Sequence, residues 1–126
     1  MRALVRTVAG TFAVDLETEE VVAADEPVAE QPLDLDLPLV VATAAVGSTV
    51  VAIVARRPPL VVSHDAGTTW REAGGGLPPG KALAIDEDDP DRIVYAARNR
   101  LYVSEDGGRF WRALVPELPA IEAVSF

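Results

Sequence analysis

The stretch SHDAGTTW at Ser63 to Trp70 returns as SEDGGRFW at Ser104 to Trp111, so the pattern Ser-x-Asp-x-Gly-x-x-Trp occurs twice. The step from Ser63 to Ser104 is 41 residues. A fixed period between roughly 20 and 50 residues is the mark of a repeat architecture, in which each repeat forms one supersecondary unit. The repeat therefore constrains the fold class more tightly than any other feature of the chain.

The agreement between the two copies continues on both sides of the pattern without a gap. The aligned pairs are Arg57 with Arg98, Leu60 with Leu101, Leu77-Pro78 with Leu118-Pro119, and Leu83 with Val124. The alignment covers residues 38–126, about two thirds of the chain. The repeat unit is therefore much larger than the motif itself.

The two copies resemble the Asp-box, or BNR repeat, of β-propellers such as sialidases, sortilin-type receptors and photosystem assembly factors. Every defining position of that motif is present in both copies: Ser63, Asp65, Gly67 and Trp70, and Ser104, Asp106, Gly108 and Trp111. The resemblance implies an all-β chain built from four-stranded antiparallel blades. It implies no single activity, because the family uses one blade design in enzymes, receptors and assembly factors.

Each residue of the box also has a physical role in a tight turn between two strands. The Asp carboxylate accepts hydrogen bonds from backbone N–H groups that the strand ladder does not reach. The Gly supplies the positive φ that such a turn needs, and the Trp begins the next strand and buries a large ring. These roles favour a structural box over a ligand site, and one carboxylate per turn is too few for a calcium site.

The repeat predicts the strands of two complete blades and part of a third. Blade 2 (residues 39–78) and blade 3 (residues 80–119) each contain four short β-rich runs with turn signals between them. Blade 1 contains three runs and a box that has decayed to the turn around Glu17 and Thr18. The predicted runs are 2–9, 12–17, 19–24, 39–46, 49–55, 60–65, 68–73, 81–86, 92–98, 100–106 and 110–115.

Blade 1 lacks a first strand, and residues 121–126 align with the beginning of one. This predicts three blades per chain, permuted by one strand. Closed propellers need about four to eight blades, so we expect a homodimer that closes a six-bladed ring. In it, residues 121–126 of each chain pair beside residues 2–9 of the other, which removes the open strand edges. A trimer or other closed ring, and a piece of a longer propeller, are the alternatives.

Residues 23–38 form an acidic, Pro-containing linker between blades 1 and 2. In the predicted blades it shares a face with two basic turns, whose arginines are Arg56, Arg57, Arg98 and Arg100. Guanidinium groups bind carboxylates and phosphates in two-point fashion, so these four are the candidate anion-binding residues. In the alternative interpretation, the arginines are balanced by the linker acids Asp25, Glu26, Glu30, Asp34 and Asp36, or all are solvated and contribute little.

Composition excludes several functions. The chain has 126 residues, no cysteine and a formal net charge of −9, which argues against disulfides, thiolate metal sites and nucleic-acid binding. The apolar runs of the first 20 residues are short and are interrupted by Arg6 and Asp15, which fits neither a secretory leader nor a membrane span. We expect a cytoplasmic protein that uses no cofactor and no metal.

The residues typical of catalysis are absent or have simpler explanations. Sialidase chemistry, as the resemblance implies it, needs a Tyr and Glu pair, whereas Tyr95 and Tyr102 lie within apolar strands. The sole histidine, His64, occupies a variable position of the box. The acids of residues 86–91 fit an Asp-Pro turn better than a calcium site or a hydrolase pair. The glycines of residues 74–80 lack the Lys and Ser or Thr of a phosphate loop.

We therefore expect a non-catalytic binding or scaffolding propeller, active in protein interaction or assembly, with its functional surface opposite the boxes. The first alternative is a lectin-like or small-anion-binding ring, since repeated blades present equivalent sites. A glycoside hydrolase is the second.

Overall fold

A computed structural model describes residues 1–29 and 39–126. The described residues form β-strands joined by turns and links. Every predicted run overlaps a strand, and most strands are shorter than the run because they end where the turn residues begin. The run 12–17 is shifted, since its strand begins at Gly10 and ends at Asp15. The strands are β1 (Arg2–Thr7), β2 (Gly10–Asp15), β3 (Val21–Ala23), β4 (Val40–Val46), β5 (Thr49–Val54), β6 (Leu60–Ser63), β7 (Arg71–Ala73), β8 (Ala82–Ile85), β9 (Ile93–Ala96), β10 (Leu101–Ser104), β11 (Arg112–Ala113) and β12 (Ile121–Ser125).

These strands form three four-stranded antiparallel sheets. Sheet 1 has the order β12-β1-β2-β3, sheet 2 the order β4-β5-β6-β7, and sheet 3 the order β8-β9-β10-β11. Sheets 2 and 3 are meanders, in which each strand pairs with the next one along the chain. The prediction of an all-β chain with four-stranded antiparallel sheets is confirmed.

Sheet 1 is completed by the same chain. Its first strand is β12, which pairs with β1 so that Leu4 lies opposite Ser125. This differs from the prediction that a partner chain supplies residues 121–126. The difference arises because the link before β12 follows the β9–β10 turn of sheet 3. The N–H of Ile121 donates to the carbonyl of Arg98, which places β12 beside β1, where sheet 1 packs on sheet 3.

Sheet 3 lies between the other two sheets. Its strands β8 and β9 are buried along their whole length, because one face packs on sheet 1 and the other on sheet 2. The contact with sheet 1 includes Ala3, Val5, Val14, Val94, Leu101 and Val103. The contact with sheet 2 includes Val51, Ile53, Leu60, Ile93 and Tyr95.

The first strands of the three sheets surround a cavity of about 810 Å³. Strand β8 packs beside β4 on one side and beside β12 on the other. Many of the side chains along these strands are small, and the alanines among them are Ala42, Ala44, Ala45, Ala82, Ala84 and Ala123. Within the described ranges, no helix has the length and apolar character that a membrane span requires.

Candidate functional site

The first box is a closed set of hydrogen bonds within one turn. The Ser63 hydroxyl donates to Oδ1 of Asp65 at 2.7 Å and accepts the N–H of Gly67 at 2.8 Å. The N–H of Thr69 donates to the same Oδ1 at 2.8 Å, and its hydroxyl donates to Oδ2. Gly67 has a φ of 90°, a conformation that glycine adopts without strain. Both carboxylate oxygens of Asp65 are thus bonded within the turn.

The second box repeats most of these contacts and differs at both oxygens of the carboxylate. Ser104 donates to Oδ1 of Asp106 at 2.8 Å and accepts the N–H of Gly108 at 2.9 Å. The N–H groups of Arg109 and Phe110 also donate to Oδ1. Phe110 occupies the position of Thr69 and has no hydroxyl, so no described residue donates to Oδ2 of Asp106.

The hydrogen bonds of the boxes also change the acidity of their carboxylates. The Thr69 hydroxyl and the Thr69 N–H together lower the pKa of Asp65 to about 2. The N–H of Phe110 and the Ser104 hydroxyl lower the pKa of Asp106 as well. Each carboxylate is therefore held in its charged form by the turn around it. No group of three or more potential metal ligands occurs in residues 1–29 and 39–126.

The turn after β2 in sheet 1 lies where the sequence predicts the decayed third box. Oδ1 of Asp15 accepts the N–H groups of Glu17 at 2.8 Å and Thr18 at 2.9 Å, and these bonds lower the Asp15 pKa. The decayed box was predicted around Glu17 and Thr18, and the role of the Asp15 carboxylate in this turn was not predicted. Asp15 lies at the end of β2, where Ser63 and Ser104 end the corresponding strands of sheets 2 and 3.

Two arginines that follow the box tryptophans connect neighbouring sheets. Nη2 of Arg71 donates to the carbonyl of Gly107 at 3.2 Å, from sheet 2 to the box of sheet 3. Nη2 of Arg112 donates to the carbonyl of Leu16 at 2.7 Å, from sheet 3 to sheet 1. The sequence analysis did not single out this pair, although a Trp-Arg pair closes both boxes and would have pointed to it.

The four candidate anion-binding arginines differ in their exposure and in their ion pairing. Arg56 and Arg57 lie exposed on the β5–β6 turn, and Arg98 lies exposed on the β9–β10 turn. None of these three forms an ion pair with a described residue. Arg100 is half-buried and pairs with Glu117 at 3.0 Å, so its guanidinium is already engaged.

The predicted charge balance by the linker is not seen for its described acids. Glu26 pairs with Arg2 of sheet 1 at 2.6 Å, and the N–H of Ala29 donates to the Ser125 hydroxyl at 3.2 Å. The beginning of the linker therefore contacts sheet 1 and not the arginine turns. The other linker acids that were proposed to balance the arginines, Glu30, Asp34 and Asp36, lie outside the described residues.

Both tyrosines considered for catalysis, Tyr95 and Tyr102, pack in the core between sheets 2 and 3. Tyr95 is fully buried, its hydroxyl donates to the carbonyl of Pro78 at 2.6 Å, and burial raises its pKa to about 12. Its ring makes edge-on contacts with Tyr102 and Trp111. A nucleophilic role would require an accessible, readily ionised hydroxyl, and this hydroxyl is neither.

The acidic residues 86–91 bond to their own turn. Oδ1 of Asp86 accepts the N–H of Asp88 at 2.9 Å, and Oδ1 of Asp89 accepts the N–H of Asp91 at 3.2 Å. Arg92 contacts Asp86 at 3.4 Å. These are the local bonds of an Asp-rich turn.

His64 is the second residue of the first box, and its side chain is exposed.

No protein-family signature and no curated protein matches this chain. The Asp-box resemblance therefore depends on the sequence motif alone.

Proposed function

We propose that the chain is a non-catalytic binding or scaffolding module of Asp-box β-propeller type, in which sheets 1 to 3 are three blades. The observation that carries this proposal is the position of β4, β8 and β12, which stand side by side around one cavity. In a propeller the first strand of every blade borders the central channel, so this placement is the one expected of blades.

Closed propellers have about four to eight blades, and this chain has three. The three sheets also differ in how many neighbours they pack on, and this difference leaves room for a second copy. Sheet 3 has a packed neighbour on each face, whereas no apolar cluster of the described residues joins sheet 1 to sheet 2. In the proposed ring, sheet 1 of each copy packs on sheet 2 of the other around a two-fold axis. Six blades then surround the channel, with β12 retained in its own chain.

Sedimentation velocity at micromolar concentration tests this assembly, with a dimer as the expected species. Ala45 lies on β4 next to Ala44, which packs toward sheet 3, so the Ala45 side chain lies on the opposite face of the sheet. Ala45→Arg should shift the dimer toward monomer. Thr68→Arg, with the same charge change in the exposed first box, is the control and should leave the dimer intact. A monomeric native chain would contradict the ring.

A second candidate function is the binding of small anions at the basic turns. It is favoured by Arg56, Arg57 and Arg98, which are exposed and form no ion pair with any described residue. Titration with a hexaglutamate peptide should show binding that the triple alanine variant loses. Arg109→Ala, an exposed arginine on the box side, is the control. Equal binding by the triple variant and the native chain would reject this function.

A further inference from the structure

A shallow cleft lies beside the second box, on the outer part of sheet 3. Its volume is about 350 Å³, and its lining residues are Val103, Glu105, Asp106, Phe110, Trp111 and Arg112. The Phe110 side chain is unusual within it, because the residue is 80% exposed. Its backbone N–H completes the box, but its ring is not part of any core cluster.

A comparison with the first box indicates which chemical group the free oxygen of Asp106 would accept. In the first box the Thr69 hydroxyl donates to Oδ2 of Asp65. In the second box Phe110 takes the place of Thr69, and Oδ2 of Asp106 receives no hydrogen bond from a described residue. The turns are otherwise alike, with φ values of 90° at Gly67 and 92° at Gly108. The second box is thus a preorganised acceptor for a hydroxyl that none of the described residues supplies.

The rest of the cleft favours one class of hydroxyl ligand. The exposed Phe110 ring offers a flat apolar surface. Glu105 adds a second carboxylate, whose Oε1 accepts a hydrogen bond from Arg92 and whose Oε2 is an additional acceptor. A ligand that fits carries several hydroxyls and one apolar face, as a pyranose does. A cationic side chain fits less well, because Glu105 is already paired with Arg92 at 3.3 Å.

We propose that this cleft binds a pyranose, with a sugar hydroxyl donating to Oδ2 of Asp106 and an apolar face of the sugar against Phe110. The site is built within one chain by strands and turns of sheet 3. It goes beyond the scaffolding function and does not require the six-bladed ring.

The test is an NMR titration of the full chain with methyl glucoside, methyl galactoside, methyl mannoside and N-acetylglucosamine. At least one should shift the amide signals of residues 104–112, with a Kd on the order of 1 mM for so small a ligand. Phe110→Thr restores the hydroxyl of the first box and should weaken binding at least about tenfold. Val115→Thr makes the same kind of change at another exposed site, 77% exposed, and should not.

Two results would overturn the proposal: no shift with any of the four sugars, whether or not N-acetylarginine amide shifts residues 104–112, or sugar binding that Phe110→Thr leaves unchanged. Because Phe110 is exposed, the variant should keep the native spectrum elsewhere. Sedimentation is independent of this residue, so failure of the sugar site leaves the ring standing, and loss of the ring leaves the sugar site intact.

Discussion

Arg112 donates a hydrogen bond to the backbone carbonyl of Leu16 at 2.7 Å and so connects sheet 3 to sheet 1. Arg71, one repeat earlier, makes the equivalent contact with Gly107 between sheets 2 and 3. The same position of the repeat, Arg71 in sheet 2 and Arg112 in sheet 3, therefore connects each of these sheets to its neighbour. In sheet 1 this position is Val21, which lies opposite Val14 as Arg112 lies opposite Val103. A contact between sheet 1 and a second copy would lack this arginine.

Replacing Arg112 by Ala should destabilise the chain by about 1 kcal/mol. A hydrogen bond from a charged donor contributes somewhat more when buried, but the Arg112 side chain is 51% exposed, which reduces the effect. Urea denaturation measures the change. Arg109→Ala removes an exposed arginine with no side-chain hydrogen bond to a described residue and should be nearly neutral. Equal loss in both variants would mean that the contact with Leu16 contributes nothing.

Ser63→Ala should lower the free energy of unfolding by about 1 to 2 kcal/mol. The Ser63 hydroxyl is buried and bonds to both Asp65 and Gly67, so its removal leaves the Gly67 N–H without a partner. Thermal or urea unfolding gives the value. Ser48 is exposed, and its side chain makes no hydrogen bond to a described residue, so Ser48→Ala should behave like the native chain. A neutral Ser63→Ala would show that the box does not stabilise its turn.

The stability of the first box should depend on pH below about 4. The pKa of Asp65 falls from 3.8 to about 2 on folding, so the carboxylate stabilises the folded state fully above pH 3.8. This stabilisation is lost as the pH falls through about 2. Asp65→Asn has no such charge, and the difference in urea midpoint between native chain and variant should shrink from pH 5 to pH 2. A constant difference would contradict the lowered pKa.

The repeat made many of the strands predictable because each sheet obeys local rules of turn and alternation. Sheets 2 and 3 follow from the two boxes and their 41-residue step, and β1 to β3 follow from their apolar runs and turn signals. The origin of the first strand of sheet 1 was not predictable from those rules. It depends on the path of the link before Ile121 along the Arg98 turn, which is a tertiary contact.

The candidate sites were harder to predict from the sequence than the strands were. Exposed arginines can be predicted from the turns that contain them. The ion pair between Arg100 and Glu117 cannot be predicted in this way. The cleft at Phe110 required a comparison of hydrogen bonds between boxes. Its one sequence signal is that Thr69 in the first box becomes an aromatic residue in the second, although aromatic residues in strands usually indicate core.

Gly80→Ala should destabilise the chain by about 2 to 3 kcal/mol. A Cβ at this position would lie 2.5 Å from atoms of the buried Tyr95 ring, which also holds Pro78 through its hydroxyl. Gly75→Ala is the matched control, because a Cβ there meets nothing within 4 Å. Chemical denaturation of both variants decides the point. Equal stability of the two would show that the Tyr95 ring does not lie against Gly80.

The most direct test of the account is a cysteine pair across β1 and β12, since both strands lie in sheet 1 of one chain. The native chain has no cysteine, and Leu4 lies opposite Ser125, at a spacing that a disulfide can bridge. After oxidation, the Leu4→Cys/Ser125→Cys variant should run as a monomer on a non-reducing denaturing gel. A mixture of the two single variants should give no Leu4 to Ser125 crosslink. A covalent dimer joined through these positions in that mixture would contradict the account, because β12 would then belong to the blade of another chain.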